Sequence, residues 1–455
     1  MTSGRWGEAE WREEFYFYSQ PQVGKLLIGA AQAAVGSAGE APVYDYDWQR
    51  LPSENAAAGR VPEAAALLAG RTVGAALGWA GCVTLWWLAV LLGAPRAGPL
   101  AAVLLASQPL WLANARRAGL DVPALTLGLL AAAMAVEGAR RGRQRWWLAA
   151  GALGGLAVGT KYVALLALAA AIPFVVQRAW SERQWRGAAG PLLAAVLGVA
   201  VFAGTNPALW HDPLLGVNVS LGFLSGQAEG MRHTMPEFGA PPWVALQMVD
   251  RVFWPLGGPK VVEQSLPEPL RPGTYGTPVI ALGVLVALAL ARRGERGLGA
   301  AAAWGALVFC ALAISLPTWW ERWHVPLVPP LALLAALGLA SLPRGGASLG
   351  WLLAGAQYVA ALSLLPSYLG KGFGQLVMSP VGAVAHLGAL AWTLATLVSL
   401  ALPQLRAGRE AKQDGGAETG GTTDAASRDH RDGRDRGGAH HGLSEDRRGG
   451  AVRRV

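Results

Sequence analysis

Long apolar runs recur along this chain, separated by short loops that contain arginine. A transmembrane helix needs about 20 predominantly apolar residues to cross the roughly 30 Å hydrocarbon core of a bilayer, and many of these runs approach that length. Of the 455 residues, 53% are hydrophobic and only 15% are charged, and the mean hydropathy is +0.33. The sequence therefore predicts an all-α polytopic membrane protein.

Eleven spans are predicted, and the arginines orient them. The predicted spans are residues 71–93, 98–113, 122–138, 146–160, 162–177, 188–204, 276–292, 298–316, 324–342, 349–367 and 381–402. The most basic short loops are 139–145, 178–187 and 291–297, and the span count places all three on one side, together with Arg96 and the tail from Arg406. The positive-inside rule makes that side cytoplasmic in a cell membrane. The net charge of +9 thus indicates membrane orientation and not a nucleic-acid groove.

The run 146–177 tests this topology, because it is interrupted only by Thr160-Lys161-Tyr162. As one helix its 32 residues would measure about 48 Å, longer than a bilayer core. It would also carry the arginines of 178–187 to the outer side, against the positive-inside rule. We therefore predict two short spans with Lys161 at an outer turn.

Three regions follow from this reading. Residues 1–70 form an outer-face segment, residues 71–403 form the multi-spanning domain, and residues 404–455 form a disordered cytoplasmic tail of low complexity. The long outer loop 205–275 contains broken apolar stretches with large aromatics, which is typical of helices lying in the membrane interface. Within this loop, Asp212 before Pro213 is predicted to cap a helix.

A few cationic residues lie on the predicted outer face and need an explanation of their own. In the turn Asn114-Ala-Arg116-Arg117-Ala-Gly-Leu-Asp121, one interpretation is a local Arg117–Asp121 ion pair beside an interfacial arginine. The other is a functional charge at the membrane surface. Arg322 lies in a loop dense with tryptophan and is also open to two interpretations. The loop is either an aromatic belt at the membrane interface or a site for a phosphate or a sugar.

Four segments, in order, carry a resemblance to a known family. These are Gln20-Pro-Gln-Val-Gly-Lys25, Ala115-Arg116-Arg117-Ala-Gly-Leu-Asp121, Gly159-Thr-Lys161-Tyr and Trp320-Glu-Arg322-Trp-His-Val-Pro-Leu-Val-Pro-Pro330. They resemble motifs of the GT-C superfamily of membrane glycosyltransferases, in the branch of dolichyl-phosphate-mannose–protein mannosyltransferases and bacterial aminoarabinose transferases. The likeness extends from about residue 5 to residue 400, and Gln22 departs from the family's second proline in the first motif.

The resemblance implies transfer of a sugar from a polyprenyl-phosphate carrier to a protein, lipid or glycan acceptor at the outer face, with inversion at the anomeric carbon. It implies that Arg116, Lys161 and Arg322 stabilise the phosphate of the carrier, because the leaving group develops negative charge. Lys25 and Trp320 would belong to the substrate loops. No cofactor is certain, and a divalent metal stays an open alternative.

The acidic residues are the point at which the sequence departs from the family. The family's main carboxylate, usually an Asp followed by Glu, lies just after the first span, but the 20 residues before Pro21 contain no such pair. We therefore expect the chain as written to lack its first span and main catalytic carboxylate, and the activity of this form stays an open question. Asp121 would then be a supporting acid. The alternative functions are a transporter or flippase and a non-catalytic membrane scaffold.

Overall fold

The computed structural model describes part of the chain, and that part is built from helices. The described residues are 21–37, 50–182, 189–210, 212–234, 280, 283–290, 296–315, 321–342, 348 and 351–352. All lie in the first of two compact units, Met1–Ser379 and Pro380–Val455. The labelled α-helices are α1 (Val23–Ala34), α2 (Pro52–Ala57), α3 (Ala64–Leu91), α4 (Ala97–Ala106), α5 (Pro109–Ala115), α6 (Asp121–Arg141), α7 (Gln144–Thr160), α8 (Ala164–Leu168), α9 (Ala171–Glu182), α10 (Ala189–Gly204), α11 (Pro213–Thr234), α12 (Arg296–Ser315) and α13 (Val328–Ala340). Two 3-10 turns, Pro207–Leu209 and Glu321–Leu327, precede α11 and α13.

The described part confirms the predicted class but not the predicted number of spans. Four of its helices are long and apolar enough to cross a membrane: Ala64–Leu91, Asp121–Arg141, Gly297–Ile314 and Arg322–Ala340. The predicted break at Lys161 is confirmed, since α7 ends at Thr160 and Lys161 is extended. The predicted cap is confirmed as well, because Leu215 N donates to Asp212 Oδ1 at 2.9 Å.

Glycines let α7 lie directly on α10. Gly151, Gly155 and Gly159 recur every four residues and so share one face of α7. A Cβ atom added to Gly155 would lie 2.5 Å from the carbonyl oxygen of Gly198 in α10. Small residues that allow two backbones to approach are typical of helix pairs in membranes. The two helices run in the same direction, because Gly151 faces Ala194 and Gly159 faces the Thr205 side chain.

The helices have two distinct ends. At the lysine end, defined by Lys161, Leu120 and Thr205, α7 and α10 finish and α6 begins. At the arginine end, defined by the α6–α7 turn at Gly142 and Arg143, α6 finishes and α7 and α10 begin. Helix α3 runs parallel to α6, since Thr126 Oγ1 donates to Leu77 O at 2.9 Å and Gly74 packs against the turn before α6.

The described parts of the basic loops meet at the arginine end. A Cβ atom added to Gly297 would lie 3.3 Å from Leu92 O, which brings the start of α12 to the end of α3. Trp147 contacts both Gly138 and Gly190, which brings the start of α10 to the same place. This agrees with the prediction that these loops share one side. That this side is cytoplasmic stays a prediction.

The predicted single span 98–113 is wrong. Helix α4 ends at Ala106, and α5 begins at Pro109. The side-chain oxygen of Gln108 accepts hydrogen bonds from Leu110 N at 2.6 Å and Trp111 N at 3.2 Å. Gln108 therefore caps a new helix, and Pro109 occupies its first position, where the missing N–H costs nothing.

The predicted span 162–177 is also interrupted. Its helices are Ala164–Leu168 and Ala171–Glu182. The indole Nε1 of Trp304 donates to Leu166 O at 3.0 Å, while Ala170 N turns to Ala167 O at 3.1 Å. In a continuous helix Leu166 O would accept from Ala170 N, four residues later. Here it accepts from Trp304 instead. The bounds of α3 differ too, because it begins at Ala64, before the predicted residue 71.

Several predictions concern residues outside the described part. These are the segment 1–20, the spans 349–367 and 381–402, the tail 404–455, Trp320, and most of the outer loop beyond residue 234. The span 276–292 is described at residues 280 and 283–290, which are helical.

Candidate functional site

Asp121 and Lys161 form an ion pair at the lysine end. Lys161 Nζ donates to Asp121 Oδ1 at 2.5 Å, and the two side chains are 22% and 13% exposed, respectively. Asp121 is the first residue of α6, where the helix dipole favours a negative charge. Lys161 directly follows the last residue of α7. The pair therefore links two segments that are 40 residues apart in sequence.

The local alternative for Asp121 is wrong. In the described part of the chain its carboxylate pairs with Lys161, whereas Arg117 is exposed. A short hairpin makes the distant pair reachable, because Gly142 adopts a left-handed conformation (φ 62°) that ends α6. Such a conformation is tolerated best by glycine. Helix α7 then starts at Gln144 and runs back along α6.

The Arg116 turn lies against α3. Arg116 follows α5, its side chain is half-buried, and its Nε donates to Leu112 O at 3.4 Å. A Cβ atom added to Gly74 would lie 2.6 Å from Arg117 O and 2.7 Å from Ala115 O. The turn backbone therefore rests on a glycine of α3, which fixes the position of Arg116 relative to the bundle.

The segment before Lys25 is buried at the same end. Gln22, Val23 and Gly24 are all buried. A Cβ atom added to Gly24 would lie 2.6 Å from the Leu120 side chain and 2.7 Å from the Thr160 side chain. The start of α1 thus contacts both the Arg116–Asp121 turn and the Thr160–Lys161 turn. The Lys25 side chain is half-buried.

The Arg322 segment reaches this group of turns through the 3-10 turn Glu321–Leu327. This turn contacts α5, whose end carries Arg116, and also contacts α6 and α8. Arg322 is exposed, while His324 is fully buried. As predicted, the segment leads into a helix, α13. Trp320 lies outside the described residues.

Part of the chain that forms this arrangement matches a protein-family model. Residues 65–210 match the model described as "Dolichyl-phosphate-mannose-protein mannosyltransferase". The match includes the Arg116–Asp121 turn, the Lys161 turn and the helices between them. Residues 65–210 are thus similar to a family of membrane glycosyltransferases. No curated protein matches this chain significantly.

Solved structures with similar folds were also found. ArnT from Cupriavidus metallidurans in the apo state aligns at 18% identity and a TM-score of 0.45, covering 80% of this chain and 57% of that one. ArnT bound to undecaprenyl phosphate aligns at 19% identity and a TM-score of 0.44, covering 79% and 62%. The archaeal oligosaccharyltransferase AglB from Archaeoglobus fulgidus, in complex with an inhibitory peptide and a dolichol-phosphate, aligns at 13% identity and a TM-score of 0.39, covering 75% and 47%. The chain thus spans about half to three-fifths of the length of these proteins.

The structure adds one polar group at the lysine end that the sequence motifs did not indicate. Asn206, which follows α10, is 1% exposed, and its side-chain oxygen has no hydrogen-bond partner among the described residues. Its neighbour Thr205 lies against Gly159, next to Val23. The signal in the sequence was an Asn-Pro step at the end of an apolar run, which by itself indicates only a turn.

Metal ligands can be assessed only within the described residues. There, no group of three His, Cys, Asp or Glu side chains is placed to hold a metal ion. His211, the neighbour of Asp212, lies outside those residues. Metal dependence therefore stays open.

Proposed function

We propose that this protein transfers a sugar from a polyprenyl-phosphate carrier to a protein, lipid or glycan acceptor at the outer face of the membrane, with inversion at the anomeric carbon. One observation carries the proposal. The Gln22–Gly24 segment, the Arg116–Asp121 turn and the Thr160–Lys161 turn are far apart in sequence, yet they meet at one end of the bundle. The matched family description names a phosphate-linked polyprenol sugar as the donor class.

The chemistry of the lysine end suits a phosphate leaving group. When the sugar–phosphate bond breaks, negative charge develops on the carrier phosphate, and fixed cations near it lower the barrier. The half-buried Arg116 supplies a planar guanidinium that can donate to two phosphate oxygens. Lys161 supplies a compact ammonium on the other turn at the same end of the bundle. Arg322, exposed on the adjoining turn, is the third cation assigned to the phosphate.

Asp121 is assigned a positioning role. Its Oδ1 accepts a hydrogen bond from Lys161, so the carboxylate holds the ammonium at the lysine end of helices α6 and α7. We assign Lys25 and Trp320 to the loops that hold the substrates, since Lys25 lies in the first turn of a helix whose start is buried in the site. Loss of Asp121 should therefore disturb Lys161 first and the reaction through it.

Transfer assays on neighbouring arginines test the proposal. Membranes containing the full chain are supplied with a panel of polyprenyl-phosphate sugars. Arg116→Ala should lower transfer on the order of 10²-fold, the size of effect seen when a preorganised donor to a developing charge is removed. Arg117→Ala is the matched control, because Arg117 is the next residue and is exposed. Equal turnover by the two variants, both normally inserted, would refute the role of Arg116.

A binding measurement separates donor recognition from catalysis. Unglycosylated polyprenyl phosphate should stabilise the purified wild-type chain against thermal unfolding and should stabilise Lys161→Met less. Binding without transfer for every sugar tested would favour the non-catalytic scaffold. Absence of both binding and transfer would remove the proposal.

The proposed orientation in the plasma membrane puts the lysine end outside and the C-terminus in the cytoplasm. A reporter fused after Arg406 should be cytoplasmic, and one inserted near residue 230 should be external. The opposite result for either reporter would place the proposed site on the wrong side for an exported carrier.

A further inference from the structure

Four arginines crowd the arginine end of the α6–α7 hairpin. Arg140, Arg141, Arg143 and Arg145 are all exposed and lie within six residues of one another. The helices that carry them are the same two whose other ends carry Asp121 and Lys161. Helix α6 has 21 residues, which correspond to a rise of ~31 Å. The arginines therefore lie about one hydrocarbon core away from the proposed transfer site.

Two of the four arginines pair with a carboxylate in the described part of the chain, and two do not. Glu137, fully buried at 1% exposure, accepts from Arg140 Nε at 2.8 Å and also pairs with Arg141. Among the described residues no carboxylate contacts Arg143 or Arg145. The four guanidinium groups and the one carboxylate leave a local excess of positive charge.

Two of the guanidinium groups lie against the ring of Trp146. The guanidinium carbon of Arg141 lies 5.6 Å from the ring centroid, and that of Arg145 lies 5.3 Å from it. Both distances are within the range of cation–π attraction. Two like charges held at one ring repel each other, and an anion bound near this group of arginines would offset that repulsion.

The surroundings indicate where such an anion would come from. Leu148, in the first turn and a half of α7, is a large apolar side chain with 39% exposure. A basic rim next to exposed apolar surface, with a tryptophan between them, is the arrangement found where a transmembrane helix passes the headgroup layer. Basic clusters at this depth attract anionic lipids. A soluble anion would gain nothing from the apolar neighbour.

We propose that the arginine end binds the phosphate of an anionic phospholipid, with Arg143 and Arg145 as the binding residues and Trp146 holding Arg145 in place. Arg140 and Arg141 stay engaged with Glu137 and anchor the turn. The lipid tails lie along the exposed start of α7. This site differs from the transfer site in position and in ligand, and it does not depend on transfer activity.

Native mass spectrometry on the purified full chain, with phosphatidylglycerol and phosphatidylcholine offered together, tests the proposal. Wild type should retain phosphatidylglycerol in preference to phosphatidylcholine. The double variant Arg143→Gln/Arg145→Gln should bind phosphatidylglycerol on the order of 10-fold more weakly, since each basic residue near a membrane surface adds measurably to anionic lipid binding. The matched control is Arg71→Gln/Arg117→Gln, which removes the same charge from exposed positions toward the lysine end.

The outcomes separate a site from a general charge effect. Loss confined to the first double variant supports the proposal. Equal loss in both double variants, or no preference for phosphatidylglycerol in wild type, overturns it. Release of the lipid by millimolar inorganic phosphate would also overturn it, because the headgroup phosphate would then be bound without any contribution from the tails.

Discussion

Helix α6 carries an acidic residue near each end, and the two are used differently. Asp121 pairs with Lys161, 40 residues away, across two helices. Glu137 pairs with Arg140 and Arg141, three and four residues further along the same helix. The distant pair joins two of the segments that resemble family motifs, whereas the local group neutralises part of an arginine-rich turn. The acid at one end of the helix thus makes a tertiary contact, and the acid at the other end makes a local one.

Thiol labelling from outside the cell should succeed at the lysine end and fail at the arginine end. In a chain with Cys82 and Cys310 replaced by alanine, Arg117→Cys and Arg143→Cys place single thiols at exposed positions of opposite ends. A membrane-impermeant maleimide added to intact cells should label the first and spare the second. Lysed cells provide the control, in which both should react. Labelling of both in intact cells would show that the two ends do not face opposite sides of the membrane.

The Asp121–Lys161 pair should show strong coupling in transfer. We expect Lys161→Met to reduce transfer on the order of 10²-fold, because it removes a cation from the developing phosphate charge. Asp121→Asn should reduce it less, and the double variant should be no worse than Lys161→Met, as expected when one residue acts through the other. Additive losses in this double-mutant cycle would contradict the positioning role. Glu137→Gln, at the other end, should leave transfer unchanged.

Packing between α7 and α10 holds the two ends in register. Gly155→Ala places a methyl group against Gly198 O and should lower stability by about 1–3 kcal/mol. Gly299→Ala is the control, because nothing lies within 4 Å of its added Cβ atom. That variant should stabilise α12 by up to about 1 kcal/mol through the higher helix propensity of alanine. Thermal unfolding in detergent measures both, and a fall of the same size in both would contradict the close contact.

Loss of the Glu137 charge should have the smallest effect. The arginine side chains it contacts are each 44% exposed, so water can replace much of the interaction in Glu137→Gln. We expect a loss of stability of about 1 kcal/mol or less, measured in the same unfolding assay. Asp121→Asn, whose partner is only 22% exposed, should cost more. The reverse order would show that the local group holds the hairpin together.

Local patterns predicted much of the helical framework. The bounds of α6, α7 and α10 agree with the predicted spans to within a few residues, because apolar runs ended by arginine, glycine or Lys161 mark helix ends directly. The cap by Asp212 followed from two adjacent residues. The break at Gln108 has a local signal in Pro109, which the predicted span 98–113 overlooked. The break after Leu168 has no such signal, and there a carbonyl is bound by Trp304, 138 residues away.

The candidate site, like the fold, was predicted only in part from the sequence. The sequence by itself determined which segments resemble family motifs and that Arg116, Lys161 and Arg322 are cations near helix ends, since these are properties of neighbouring residues. Only the tertiary structure decided that Asp121 binds Lys161 and not Arg117, and that Gly24 brings the first motif against the other two. The physical reason is that helix direction and length set which ends coincide, and contact between ends depends on packing that no local pattern encodes.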